Sequence, residues 1–127
     1  MSRNRDLDLV LVHPGSRTEV YQSLGSTLAA IEPPVWAGLM ATFVRNHGFS
    51  VEVIDAEAEE LSPQKTAARV AEMAPTLTAV VVYGHQPSAS TQNMTASGGI
   101  CTALKQAAPH LRTLLVGGHV AALPERT

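Results

Sequence analysis

Cysteine is almost missing from this sequence: Cys101 is the only one in 127 residues. An intramolecular disulfide is therefore impossible, and neither an all-cysteine iron-sulfur cluster nor an all-cysteine zinc site can be built from it. A reducing compartment, the cytoplasm, is the simplest home for such a chain. Clustered basic charge is missing too. Nine Lys and Arg stand against eleven Asp and Glu, for a formal net charge of -2, and no long block of either sign occurs. That argues against nucleic acid as a partner, because phosphate-tracking surfaces need clustered Lys and Arg. No apolar run approaches the ~20 residues of a membrane span. Met1-Ser2-Arg3-Asn4-Arg5-Asp6 leads straight into a short strand without a signal-peptide core. Two phosphate-binding patterns are also lacking. After the first strand, His13-Pro14-Gly15-Ser16-Arg17 contains neither G-x-G-x-x-G nor G-x-x-x-x-G-K-[ST], which speaks against a dinucleotide or P-loop site. A phosphoacceptor receiver would carry acidic residues at the ends of its first and third strands, where this chain has His13 and Tyr83.

What the chain does have is a regular alternation of short apolar runs and helical patterns. Leu7 to His13 reads as a buried strand stopped by Pro14-Gly15-Ser16. After a long loop, Val35, Trp36, Leu39, Met40, Phe43 and Val44 recur at helical spacing between Pro33-Pro34 and Gly48. On that spacing Trp36 and Phe43 are expected in the core. Ser50 to Asp55 is a second strand. Ser62-Pro63 reads as an N-cap and a first-turn proline for a helix through about Met73. Thr76 to Tyr83 is a third strand, a helix is expected from about Ser97 to Ala108 with Ile100, Leu104 and Ala107 on one face, and Arg112 to Val116 is a fourth strand.

Strands and helices alternating at this pitch indicate right-handed βαβ units around a parallel sheet. The fold expected is a three-layer, Rossmann-like (flavodoxin-like) α/β sandwich in one domain of residues 1–127. It ends at Leu123-Pro124-Glu125-Arg126-Thr127, where a last helix and strand are expected, so a part of something larger is anticipated. In such a sheet the loops leaving the carboxyl ends of the strands share one edge and converge on a ligand. Two loops stand out there. Gly84-His85-Gln86-Pro87-Ser88-Ala89-Ser90-Thr91 is small and polar, and Gly117-Gly118-His119 offers bare backbone to a large planar group. The same residues also suit a plain loop, a helix cap and a turn.

Taken together, Leu115-Val116-Gly117-Gly118-His119-Val120-Ala121-Ala122-Leu123-Pro124-Glu125, Glu32-Pro33-Pro34-Val35-Trp36-Ala37-Gly38-Leu39, Gly48 to Asp55 and the Gly84 to Ser90 loop resemble the N-terminal cobalamin-binding domain of cobalamin-dependent radical SAM enzymes. The resemblance covers nearly the whole chain. It implies cobalamin held over the sheet edge, with its nucleotide tail threaded beside the strands and flanked by Gly117 and Gly118, and with His119 among the cofactor-binding residues. The segment Gly84, His85, Gln86, Pro87, Ser88 and Ser90 would approach the lower face of the corrin, and His13, Pro14, Gly15 and Ser16 would meet its rim. It further implies a parent methyltransferase whose radical SAM domain carries a 4Fe-4S cluster and S-adenosylmethionine.

Two departures limit what carries over. The D-x-H-x-x-G motif that supplies a cobalt ligand in cobalamin domains of the methionine synthase type is absent. His85 is then the candidate lower axial ligand, since neutral imidazole suits a borderline metal. His13 and His119 rank behind it, and His47 and His110 read as surface residues. The C-x-x-x-C-x-x-C cluster motif is also absent, so this chain is expected to bind rather than catalyse. Asp55, at a strand end, suits either a ribose hydroxyl or the capping of the next turn. A flavodoxin-like domain for a nucleotide, flavin or phosphorylated metabolite, with Ser88, Ser90 and Thr91 at a helix N-terminus, is the alternative. A partner subunit docking through an exposed final strand is a third reading.

Overall fold

A computed structural model describes residues 6–14, 33–83 and 93–127. Within them lie β1 (Leu9–His13), α1 (Val35–Asn46), β2 (Val51–Asp55), α2 (Pro63–Met73), β3 (Leu77–Val81), α3 (Met94–Ala107), β4 (Arg112–Val116) and a short α4 (Gly118–Ala122), followed by a 3-10 turn at Pro124–Arg126. The strands form one parallel sheet in the order β2-β1-β3-β4, with Leu9 opposite both Val51 and Leu77, and Leu77 opposite Arg112. The Rossmann-like α/β expectation is met in the described residues. The step from β1 to β2 runs one way across the sheet with its helix on one face. The steps from β2 to β3 and β3 to β4 run the other way with helices on the opposite face, as a single crossover hand demands.

Period-two alternation divides the strands between two cores. Val10, Val12, Ile54, Val80 and Val82 face α2 and α3, where Ala67, Val70, Ile100, Ala103 and Leu104 complete the larger core. Leu11, Ala79 and Val81 face α1 and pack with Ala37, Met40 and Ala41. Burying each large aliphatic side chain contributes about 1.5–3 kcal/mol, so the larger core carries most of the apolar stabilisation.

Local chemistry sets the element ends. Ser62 Oγ accepts the Lys65 amide at 3.1 Å ahead of Pro63 in the first turn of α2, satisfying a donor that the helix cannot. After α1, Gly48 takes a positive φ of 90° and returns its amide to the Arg45 carbonyl, a conformation glycine reaches without steric cost. α3 and α2 meet at Gly99, where an added Cβ would stand 3.4 Å from Pro63 Cγ, an ordinary contact distance that alanine would also satisfy. At the amino end of the sheet the Ser50 amide donates to Asp8 Oδ2 at 2.8 Å, and the Asp8 amide donates to Ser50 Oγ at 2.9 Å.

Some expectations are corrected. β1 begins at Leu9 rather than Leu7, because Asp8 is engaged by Ser50. β3 ends at Val81, although the Val82 amide still donates to the Val116 carbonyl. α3 begins at Met94, with Ser97 Oγ donating back to the Asn93 carbonyl at 2.8 Å, and Ala107 is exposed while Ala103 takes its expected place in the core. Trp36 and Phe43 are 50% and 65% exposed rather than buried. α1 is the lone described helix on its face and stands over β1 and β2, so its outer side overhangs strands that nothing else described covers. α4, unanticipated from the sequence, places Val120 against the larger core.

Thr78 is fully buried on the larger-core face, and its Oγ1 has no hydrogen-bond partner among the described residues. A buried hydroxyl without a partner costs about 1–3 kcal/mol. Thr78→Val, which keeps the shape and removes the polar atom, is expected to raise stability by about 1 kcal/mol, measured as a higher urea midpoint at unchanged slope. Cys101 packs against the same core. Burial pushes its thiol up from the ordinary value, and the Lys105 ammonium only partly opposes this. Reaction with iodoacetamide at pH 8 is therefore expected to be slow in the native chain and fast in urea. Equal rates would contradict the burial.

Candidate cofactor site

The order β2-β1-β3-β4 creates a divergence point. The chain leaving β1 turns toward β2, whereas the chain leaving β3 turns toward β4. In open parallel sheets the crevice outside the carboxyl ends at such a point is where ligands bind. It is flanked here by the residues that end β1 and follow β3.

His13, the last residue of β1, is buried at 6% exposure. Its Nε2 lies 3.3 Å from Glu57 Oε2, and its carbonyl accepts the Ala56 amide at 3.0 Å. The imidazole is thus held by the turn that follows β2, and Pro14 behind it is fully buried. Asp55, one residue before that turn, accepts the Ala58 amide on Oδ1 at 3.0 Å. Of its two expected roles, the described structure therefore shows the turn cap.

Across the divergence point, Tyr83 follows β3 and stacks on Trp36, with ring centroids 5.1 Å apart and planes 29° apart. Beyond β3, the end of β4 presents Gly117, Gly118 and the half-buried His119. The two glycines differ in kind. A Cβ on Gly117 would stand 2.3 Å from the Val82 carbonyl oxygen, whereas one on Gly118 would meet none of the described residues within 4 Å. Gly117 is needed for the close approach of β4 to β3. Gly118 keeps exposed backbone open at the edge.

His13 and Pro14 thus share one edge of the sheet with Gly117, Gly118 and His119, separated by β3. Gly15 and Ser16, with Gly84, His85, Gln86, Pro87, Ser88 and Ser90, lie outside the described residues. His47 and His110 are exposed, and His47 Nδ1 is 2.8 Å from the Phe43 carbonyl oxygen at the end of α1. Among the described residues no group of three or more His, Cys, Asp or Glu could hold a metal ion, and no helix is long and apolar enough to cross a membrane. Sequence reasoning missed Glu57 and the Trp36–Tyr83 stack. An acidic residue in a turn reads as solvated, and a contact between aromatics 47 residues apart in sequence leaves no periodic trace.

The edge suits a large, flat, mostly neutral ligand: open backbone at Gly118, an aromatic stack at Tyr83, and one buried histidine paired with a carboxylate. No curated protein and no solved structure matches the chain. The B12 binding domain family matches residues 21–127, taking in α1 through α4 and three of the four strands. With that match added to the all-parallel sheet and its divergent carboxyl edge, the chain belongs to the B12-binding domain family.

Proposed function

We propose that the chain holds cobalamin at the carboxyl edge of its sheet as the cofactor module of a radical SAM methyltransferase. The observation that carries the cobalamin part is the family match over residues 21–127 on a sheet whose strand ends diverge between β1 and β3. It favours cobalamin over a nucleotide, a flavin or a phosphorylated metabolite. The radical SAM context rests on the sequence resemblance, as do the 4Fe-4S cluster and S-adenosylmethionine assigned to a partner domain. A cytoplasmic location rests on the single cysteine.

The chemistry that cobalamin supplies when bound is methyl carriage between S-adenosylmethionine and an acceptor. The protein's share is to hold and orient it. In this reading Gly118 leaves the edge clear for the corrin and the start of its tail. His13, locked by Glu57, and Pro14 present a fixed rim. His119 lines the approach to β4. Gly15, Ser16, Gly84, His85, Gln86, Pro87, Ser88 and Ser90 complete the proposed contact set, with His85 as the proposed lower axial ligand of cobalt.

The test is a visible-absorption titration of the chain with hydroxocobalamin followed by desalting. Stoichiometric colour with a base-off spectrum is expected, and His85→Ala is expected to change that spectrum. A chain that is folded by circular dichroism and retains no colour would overturn the cobalamin assignment for this chain. An unchanged spectrum in the variant would remove His85 from the cobalt.

A further inference from the structure

The carboxylates in the turn between β2 and α2 have different tasks. Asp55 Oδ1 accepts the Ala58 amide at 3.0 Å, and Glu59 pairs with Arg69 at 2.6 Å. Glu57 instead reaches β1, where its Oε2 stands 3.3 Å from His13 Nε2. Both side chains of that pair are nearly buried, at 8% and 11% exposure. The backbone holds them there: His13 lies opposite Asp55 in the ladder, and its carbonyl accepts the Ala56 amide. A turn does not need this arrangement for stability, because taking a carboxylate and an imidazole out of water costs about what their pairing returns.

The chemistry of the pair limits what can lie against it. An ionised carboxylate only accepts hydrogen bonds, so a neutral His13 carries its proton on Nε2, and Nδ1 is left as an acceptor. None of the described residues donates to Nδ1. Nor does any Lys or Arg among them pair with Glu57. Arg69 is taken by Glu59, Lys65 is exposed on α2, and Arg45, the one charged residue of α1, lies in its last turn. At the divergence point between β1 and β3 the edge thus offers an acceptor backed by a carboxylate. A neutral N–H donor such as a carboxamide complements it, and a carboxylate is repelled.

We propose that the His13–Glu57 pair makes the site select an amidated corrin over one that carries a carboxylic acid at the facing position. The proposal rests on the cobalamin reading. Corrin side chains are acetamides and propionamides, and the longer arm is the one that reaches an imidazole recessed to 8% exposure. An amide and the corresponding acid have nearly the same size and shape, so the volume of a site cannot separate them, whereas a like charge at the rim can. His13 is the contacting residue. Glu57 is the positioning residue, and it supplies the charge.

The test is made at about pH 8, above the ordinary range of imidazole. The full chain is mixed with hydroxocobalamin and, separately, with its b-, d- and e-monocarboxylic acids, which differ in the propionamide that has become an acid, and retained colour is measured after desalting. One isomer, with its acid facing His13, is expected to be retained about tenfold less well than the others. Glu57→Gln keeps a carbonyl oxygen for the Nε2 proton and removes the charge, so the isomers are expected to come within about twofold of one another. Equal retention of the isomers by the parent chain would overturn the proposal and leave the cobalamin reading standing. So would unequal retention that survives Glu57→Gln in a variant folded by circular dichroism. A folded parent chain that retains none of these corrins would overturn both.

Discussion

Gly117→Ala is expected to destabilise the fold by about 3 kcal/mol. The new methyl group would sit 2.3 Å from the Val82 carbonyl oxygen and 3.1 Å from its carbonyl carbon. Neither side can yield cheaply. The Val82 amide donates to the Val116 carbonyl at 2.7 Å, so moving the two segments apart breaks the last rung between β3 and β4. Overpacking of this kind costs typically 1–3 kcal/mol, and more where backbone must move. A domain of this size has only about 5–15 kcal/mol of net stability, and the thermal midpoint should fall by roughly 10 °C. Gly118→Ala supplies the contrast, since no atom of the described residues lies within 4 Å of its added carbon, and its midpoint should match the parent chain. Gly118→Leu should also keep the midpoint yet weaken hydroxocobalamin retention at least tenfold, by filling the open backbone at the edge. Equal melting of Gly117→Ala and the parent chain would sink the close approach of β4 to β3.

Leu104→Ala should cost about as much by the opposite route. Leu104 is 1% exposed and belongs to the cluster that joins α3 to Val10, Val80 and Val82. Truncation removes buried apolar area and leaves a void that close-packed neighbours fill only in part, a loss of about 3–4 kcal/mol. Urea denaturation should show a lower midpoint with an unchanged slope. Leu39→Ala, at a site 57% exposed on α1, should change stability by under ~0.5 kcal/mol in the same experiment. Equal losses at the two sites would contradict the assignment of the main core to the α2–α3 face.

The alternation of strands and helices was legible in the sequence because it rests on local chemistry. Ser62-Pro63 and Gly48 carry stop and start signals that act within one turn, and Val80-Val81-Val82 fits a buried strand wherever it lies. Positions that depend on tertiary contact were not legible. Helical spacing places Trp36 and Phe43 on one face of α1, but it cannot reveal that this face overhangs strands with no second described helix. At the edge, His13 and Gly117-Gly118 stood out by residue type and strand position. Glu57 did not, because its role depends on β2 lying beside β1. The difference between Gly117 and Gly118 lies in which backbone runs past each, and two identical letters in a row carry no trace of it.

The first described strand is also one of the two interior strands of the sheet. β1 pairs with β2 on one side and with β3 on the other, so its second neighbour is separated from it by α1, β2 and α2. During synthesis, at about 5–20 residues per second, the Leu9–Val12 run would emerge several seconds before the partner that completes its pairing. Parallel sheets delay their reward in this way, because long-range closure must precede the hydrogen bonds it permits. Val10, Leu11 and Val12, nearly inaccessible in the finished domain, thus pass that interval without the neighbour that completes their burial.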